Sequence, residues 1–353
     1  MMTSTIKKTM YLTMQTSKSM ASLAHKEMST RLMTLVAPEG APTTNIIPSK
    51  ILKDLKESME GLIEADWSDM EMGIYPYSLL YSTPWLEFLK CYPLLCFDAP
   101  ITWNRRICRN IRDLPKSVEK TNYPDYFLQN FHHQTDGYLS DHSARLYDLE
   151  VEILFNGTAD AMRRRILLPL LSGLKHFQSE SPWQVKILDI GTGTGRTLEQ
   201  ISYALPNAQL IGLDLSAAYL RQVNRYFIQN GKEIPQLVQA NAEKLPFSSK
   251  TIEAISCVFL LHELPPKTRQ NVLNECFRVL KPGGVLILAD SIQLSDSYQF
   301  SEVMENFRRI FHEPYFYDYV RDDITSRIQA AGFTNIFQES HFMTRVWSAT
   351  KPV

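Results

Sequence analysis

The second half of this chain alternates between apolar runs and helical stretches, and that alternation constrains its fold more than any other feature. Apolar runs occur at 185–190, 210–215, 255–261 and 285–289, with a shorter strand candidate at 235–239. Segments of helical periodicity separate them, near 195–204, 216–230 and 268–280. Successive strands joined by helices lie parallel, because the helix is the crossover that returns the chain to the same end of the sheet. Helices then cover both faces, which explains runs that are continuously apolar rather than alternating. The end of the chain differs. A helix near 323–331 stops at Gly332, and 335–339 with 344–350 read as a closing antiparallel hairpin. The expected fold is α/β, a doubly wound and mostly parallel sheet ending in that hairpin.

Within this frame the first strand, Ile187-Leu188-Asp189-Ile190, runs straight into Gly191-Thr192-Gly193-Thr194-Gly195. Glycines let the backbone turn sharply and approach a ligand, while the next helix aims its free amides at the same place. Ligands of open α/β sheets bind there, at the carboxyl ends of the strands. A dinucleotide fingerprint, G-x-G-x-x-G/A, would need a small residue at position 196, and Arg196 stands there. The spacing G-x-G-x-G, with Asp189 two residues ahead, therefore argues against a nicotinamide oxidoreductase.

Three later features stand in order behind the loop. Asp214 ends the second strand, followed by Leu215, and a carboxylate there can accept from both hydroxyls of a ribose. Next come Asn241-Ala242-Glu243-Lys244-Leu245-Pro246-Phe247, and then Arg278-Val279-Leu280-Lys281-Pro282-Gly283-Gly284, a helix stop and sharp turn into 285–289. Together with the loop, these features span about 185–291 and resemble the class I S-adenosylmethionine-dependent methyltransferases. The resemblance is to the small-molecule branch that includes quinone and sterol C-methyltransferases.

The resemblance implies a Rossmann-like domain with S-adenosylmethionine as cofactor. It sets that cofactor against Asp189, Gly191, Thr192, Gly193, Gly195, Asp214, Leu215, Asn241, Ala242 and Phe259. The family often has aspartate where Asn241 stands, but an amide oxygen can still accept from an adenine amino group. The upstream run from Asn130 to Tyr138, which includes His132 and His133, resembles a poorly characterised cyanobacterial methyltransferase group.

Methyl transfer from a sulfonium needs orientation above all, and a base only where the acceptor loses a proton. Candidate bases are His262 at the tip of the fourth strand, beside Glu263, and His132 and His133 further upstream. His262 is attractive for the near-neutral pKa of an ordinary imidazole, although His-Glu there also suits a cap for the next helix. Aromatic residues crowd 75–130 and recur at Tyr126, Phe127, Phe131, Tyr138, Tyr315, Phe316 and Tyr317. Such side chains usually form core, yet they also line pockets for flat apolar ligands. A small hydrophobic or ring-containing acceptor is expected.

The chain divides by composition. Residues 1–45 are Ser/Thr/Met-rich and almost free of acids, which reads as a disordered tail or an organelle transit segment. Residues 46–180 read as a helical, aromatic-rich lobe covering the acceptor, with a helix from Ile51 and another capped by Ser140. Residues 181–353 form the cofactor-binding domain. Net charge is −1 over 353 residues, which gives no global attraction to nucleic acid.

No Asp/Asn-Pro-Pro-Tyr/Phe element follows the fourth strand, so nucleic-acid methylation is not expected. No apolar stretch is long enough for a membrane span, although peripheral membrane contact is compatible with the composition. The five cysteines have irregular spacing, which favours reduced thiols in a cytoplasmic setting over disulfides or a zinc site at Cys91, Cys96 and Cys108. A plastid or mitochondrion is the alternative if 1–45 is a transit segment. Metal ligands are not expected, and the oligomeric state is not indicated. Competing functions are a cofactor-binding regulator without turnover and a methyltransferase acting on a protein side chain.

Overall fold

Every strand expected from the apolar runs is present in the computed structural model, which describes residues 3–40, 44–180 and 185–353. The chain forms two units: 1–162 with 302–312, and 163–301 with 313–353.

The second unit holds a seven-stranded sheet in the order β3-β2-β1-β4-β5-β7-β6. Its strands are β1 (Lys186–Ile190), β2 (Gln209–Asp214), β3 (Gln236–Gln239), β4 (Ile252–Val258), β5 (Leu280–Ser291), β6 (Thr334–His341) and β7 (Thr344–Thr350). β1 to β5 pair in parallel, whereas β7 runs antiparallel to both β5 and β6. β4 is central and buried along its whole length, as its unbroken apolar character requires. The chain reverses its winding direction at β1, whose neighbours are β2 and β4, so the loops after β1 and β4 part there and leave a crevice.

Residues 281–284 were expected as a turn outside the strand. They instead lie inside β5 as a bulge: Ile252 pairs with Leu280, but Ala254 pairs with Val285. Pro282 cannot donate to the ladder and Gly283 takes φ +74°, so these residues leave the pairing with β4, while Gly283 N donates to Lys351 O and Gly284 O accepts from Lys351 N, both at 2.8 Å.

The first unit is helical: α1 (Ser4–Val36), α2 (Ser49–Glu71), α3 (Trp85–Ile107) and α4 (Asp141–Leu154). α5 (Ala159–Arg164) lies at the division between units, and α6 (Leu167–Glu180) belongs to the second. The second unit also contains α7 (Arg196–Ala204), α8 (Ala217–Gln229), α9 (Pro266–Val279), α11 (Phe316–Tyr319) and α12 (Ile324–Ala330), whereas α10 (Ser301–Ile310) belongs almost wholly to the first.

The disordered tail expected over 1–45 is corrected by α1. Its Ser/Thr content suggested disorder because these hydroxyls compete with helical hydrogen bonds. Here they fold back onto the preceding turn, Thr9 Oγ1 donating to Thr5 O at 3.0 Å and Thr13 Oγ1 to Thr9 O at 2.8 Å. Buried anchors then fasten the helix: Tyr11 donates to Asp66, and Lys18 pairs with Glu152 at 3.3 Å. α3 is a helix that periodicity did not reveal, because Pro93 and Pro100 lie inside it.

Ser140 caps α4 as expected, accepting from Ser143 N. Pro169 implies a kink or a break in a helical stretch, and the break between α5 and α6 falls just ahead of it, leaving Pro169 in a first turn, where a missing N–H costs little. The expected boundary at 180/181 adjoins 181–184, outside the described residues; the division falls instead at 162/163, with 302–312 returning to the first unit. Asn306 secures that return through Asn45, accepting from its N–H at 2.7 Å and donating to its carbonyl at 2.8 Å.

Candidate active site

The glycine loop leaves β1 with all three glycines at positive φ, +67° at Gly191, +55° at Gly193 and +85° at Gly195. Gly191 N and Thr192 N both donate to Leu213 O, at 2.8 and 3.0 Å, which fixes the loop over the end of β2. A Cβ at Gly195 would lie 2.8 Å from Val223 Cγ1, so glycine there lets α7 close onto α8. Gly193 is different. A Cβ there would meet only Gly191 O, at 4.0 Å, so this face of the loop is open to a ligand.

Asp214 stands opposite that face. Its carboxylate accepts from Gly193 N and Ser216 N, both at 2.8 Å, and is partly buried. Burial raises its pKa to about 6, against the pull of the amides of Ser216, Gly193 and Leu215. A carboxylate oxygen has capacity for more than one hydrogen bond, so both retain room for a ligand hydroxyl.

Asp189 has another task. It is 1% exposed, and its two oxygens accept from Thr192 Oγ1 at 2.7 Å and Ser256 Oγ at 2.6 Å. Burial raises its pKa to about 6, partly offset by those two hydroxyls. Asp189, a candidate cofactor contact, ties the glycine loop to β1 and β4. Arg196, which had ruled out a dinucleotide loop, is 3% exposed and braces α7 against α8: it pairs with Glu199 and donates to Tyr226 Oη at 2.9 Å.

At the third strand, Asn241 Oδ1 accepts from Glu243 N at 2.8 Å, forming a turn that presents the backbone of Asn241 and Ala242. The amide oxygen expected to meet an adenine amino group thus spends one of its two lone pairs on Glu243. Leu215 and Ala242 are partly buried. Phe259, at the tip of β4, takes φ +55° and keeps its pairing through Phe259 N to Ala289 O at 2.8 Å. A left-handed aromatic residue costs energy and persists where its surroundings dictate it, often at ligand sites.

His262 follows in the same loop, 7% exposed. Its Nδ1 lies 2.6 Å from Asp290 Oδ1, and Asp290 Oδ2 accepts from Leu261 N at 2.7 Å. Burial by itself would lower the imidazole pKa. The charge and hydrogen bond of Asp290, reinforced by Glu313 and Glu263, outweigh it and raise the pKa to about 9. The raised pKa favours the imidazolium form of His262 at neutral pH, which holds a proton rather than removing one. The rings of Phe259, Phe316 and Tyr319 surround it with centroids 6.5, 6.3 and 6.1 Å away.

Two residues were not anticipated. Asp290 carried a faint signal, an acid directly after an apolar strand. Arg269 carried none: it is fully buried and joins the His262 loop to the 315–322 segment through Leu261 O, Tyr315 O and Asp322.

His132 and His133 lie in the first unit, where both have left-handed backbone, φ +56° and +62°. Burial, followed by Arg106, His312, His132 and Arg105, lowers the His133 pKa to about 3, so it is too weakly basic to remove a proton at neutral pH. Tyr123, Phe127, Phe131 and Tyr138 form a row of neighbouring rings, with Tyr138 and Phe131 buried. Of the aromatic residues expected to line the acceptor pocket, Phe131 and Tyr138 are thus core, whereas Tyr126 and Phe127 are only partly buried. Cys91 is buried while Cys96 and Cys108 are exposed, and among the described residues no cysteine joins a group at metal-ligating distance.

Comparison with known proteins covers the same stretch of chain. Residues 187–284 match a family model described as a methyltransferase domain. An uncharacterized methyltransferase of Synechocystis is 30% identical over 156 residues, which cover 44% of this chain and 68% of that protein. The chain belongs to the class I S-adenosylmethionine-dependent methyltransferases.

Within that class it is similar to quinone C-methyltransferases. A demethylmenaquinone methyltransferase of Lactiplantibacillus plantarum is 28% identical over 225 residues, covering 56% of this chain and 94% of that protein. A ubiquinone/menaquinone biosynthesis C-methyltransferase of Desulfotalea psychrophila is 31% identical over 151 residues and 43% of this chain, which spans 56% of that relative's length. No helix among the described residues is long and apolar enough to cross a membrane.

Proposed function

We propose that this protein transfers a methyl group from S-adenosylmethionine to a small hydrophobic acceptor of the quinone type. The observation that carries the reading is the pairing of Gly193 with Asp214: an open loop face opposite a carboxylate that is partly buried and already oriented by two amides. Asp214 would accept from the ribose hydroxyls. Gly191, Thr192, Gly193 and Gly195 would shape the surface under the amino-acid end, while Leu215, Asn241 and Ala242 would flank the base. Phe259 would form a wall beside the reacting carbon, and Asp189 would hold the loop to which all of these refer.

Bound there, the cofactor supplies a methyl group already activated by positive sulfur. The protein's contribution is to orient the acceptor and exclude water, and proximity of this kind can be worth ~7–11 kcal/mol of barrier. With His262 held as an imidazolium, that side chain can donate a hydrogen bond through Nε2 but cannot receive a proton. Such a donor can orient a ring oxygen of the acceptor; in carbon methylation the electron pair flows from that oxygen through the ring to the new bond, and the displaced ring proton must leave to a group other than His262.

Incubation with methyl-labelled cofactor and a quinone-containing lipid extract should place label in the organic phase. Asp214→Ala should weaken S-adenosylhomocysteine binding by about 1–3 kcal/mol. Label found only in protein would favour a side-chain methyltransferase, and tight binding without transfer to any acceptor would favour a regulator.

A further inference from the structure

The first unit carries an open-sided cavity of about 400 Å³ that the cofactor reading leaves unused. It is formed by α1, α3 and α4 together with residues 310 and 311, and that volume lies within the usual range for small-molecule sites. Trp103, Tyr147 and Phe311 provide flat apolar walls, and His132 stands edge-on to Phe311 with ring centroids 6.0 Å apart. The wall carrying His132 is rigid. Asn130, fully buried, bonds Asp113 N, Asp113 O and Gln134 O, while Arg105 donates to His133 O at 2.7 Å. That bracing holds the left-handed backbone of His132 and His133, and it accounts for the unusual run from Asn130 to Tyr138.

Two charged groups in the cavity lack the partners such groups normally have. Arg106 touches only a sulfur, Nη1 lying 3.8 Å from Met33 Sδ, and among the described residues its buried Nε has no acceptor. Burial lowers its pKa accordingly. Arg106 is partly buried, and a guanidinium partly withdrawn from water with no oxygen partner among the described residues is costly; a carboxylate is the group its planar fork matches. Glu150 faces the same space with no hydrogen bond acting on it, and burial followed by the charge of Asp98 holds its pKa near 7. Protonated, it can donate to an oxygen beside the Arg106 contact.

Asp98 is already engaged by Thr135, His142 and Thr102, so it offers little to a cationic ligand.

We infer that this cavity is a binding site for a planar, ring-containing carboxylic acid, its carboxylate on Arg106, its oxygens within reach of Glu150 and its rings between Trp103, Tyr147 and Phe311. The site belongs to the first unit alone and does not depend on methyl transfer.

Titration calorimetry of the full chain with biphenyl-4-carboxylate tests it. Saturable one-to-one binding is expected, with biphenyl-4-carboxamide at least about tenfold weaker, because the neutral amide gives up the charge-assisted pair. Arg106→Gln should abolish that preference while leaving S-adenosylhomocysteine binding intact, which also shows that the variant is folded. Ala99→Phe, which fills the cavity from α3, should exclude both probes, and it carries the test should Arg106→Gln fail to fold. Equal affinity for acid and amide, no binding of either, or binding that survives Ala99→Phe would each overturn the proposal. A failure of methyl transfer would not bear on it.

Discussion

His262 shows how far one side chain's chemistry can depart from its residue type. An ordinary imidazole titrates near 6.5, and this one titrates near 9 because Asp290 lies against it. A folded-state pKa above the unfolded value means the folded protein holds the proton more tightly. The resulting stabilisation is complete below about pH 6.5 and is lost as pH rises through 9. Urea unfolding of the wild type and Asp290→Asn should therefore show a wild-type advantage of up to about 3 kcal/mol near pH 6 that shrinks toward pH 10. A pH-independent difference would mean that the pair is not ionic. The strand-tip histidine was legible in the sequence, but its protonation was not, since Asp290 is 28 residues away along the chain. The same holds for Asp189: its position was readable, but Ser256, which completes its environment, is 67 residues away.

The glycine loop is the element whose design can be tested most directly. Gly195 and Gly193 both have positive φ, but a Cβ on the first would strike Val223 at 2.8 Å and one on the second would enter open space. Gly195→Ala should therefore lower stability by roughly 1–3 kcal/mol through strain and overpacking, measured as a fall in unfolding midpoint. Gly193→Ala should cost less stability and instead weaken S-adenosylhomocysteine binding. Equal effects on both measurements would remove the distinction between a packing glycine and a ligand-facing one. The loop and the strands around it were legible because their signals are local: turn residues at fixed offsets and continuous apolar runs. α1 and α3 were not. In α1, hydroxyls that usually oppose a helix bond back to it, and in α3 two prolines interrupt the apolar period without ending the helix.

For the molecule as a whole, the assignment predicts which nucleotide stabilises it. S-Adenosylhomocysteine at ~100 times its Kd should add about 2.7 kcal/mol to apparent stability, read as a rise in Tm, whereas NAD at equal concentration should add nothing. Stabilisation by NAD alone would overturn the reading of Arg196, which the structure uses as a brace between α7 and α8. The amino-acid sequence by itself determined the parallel sheet, its antiparallel end, the glycine loop and the acid at the tip of β2. These follow from periodicity and turn chemistry, which act over a few residues. Only the tertiary structure decided that Asp189 supports the loop, that Asp290 lies against His262 and raises its pKa, and that Arg106 and Glu150 share a cavity. Ionisation and enclosed space depend on which groups are neighbours after the chain has folded, and no local pattern encodes those distances.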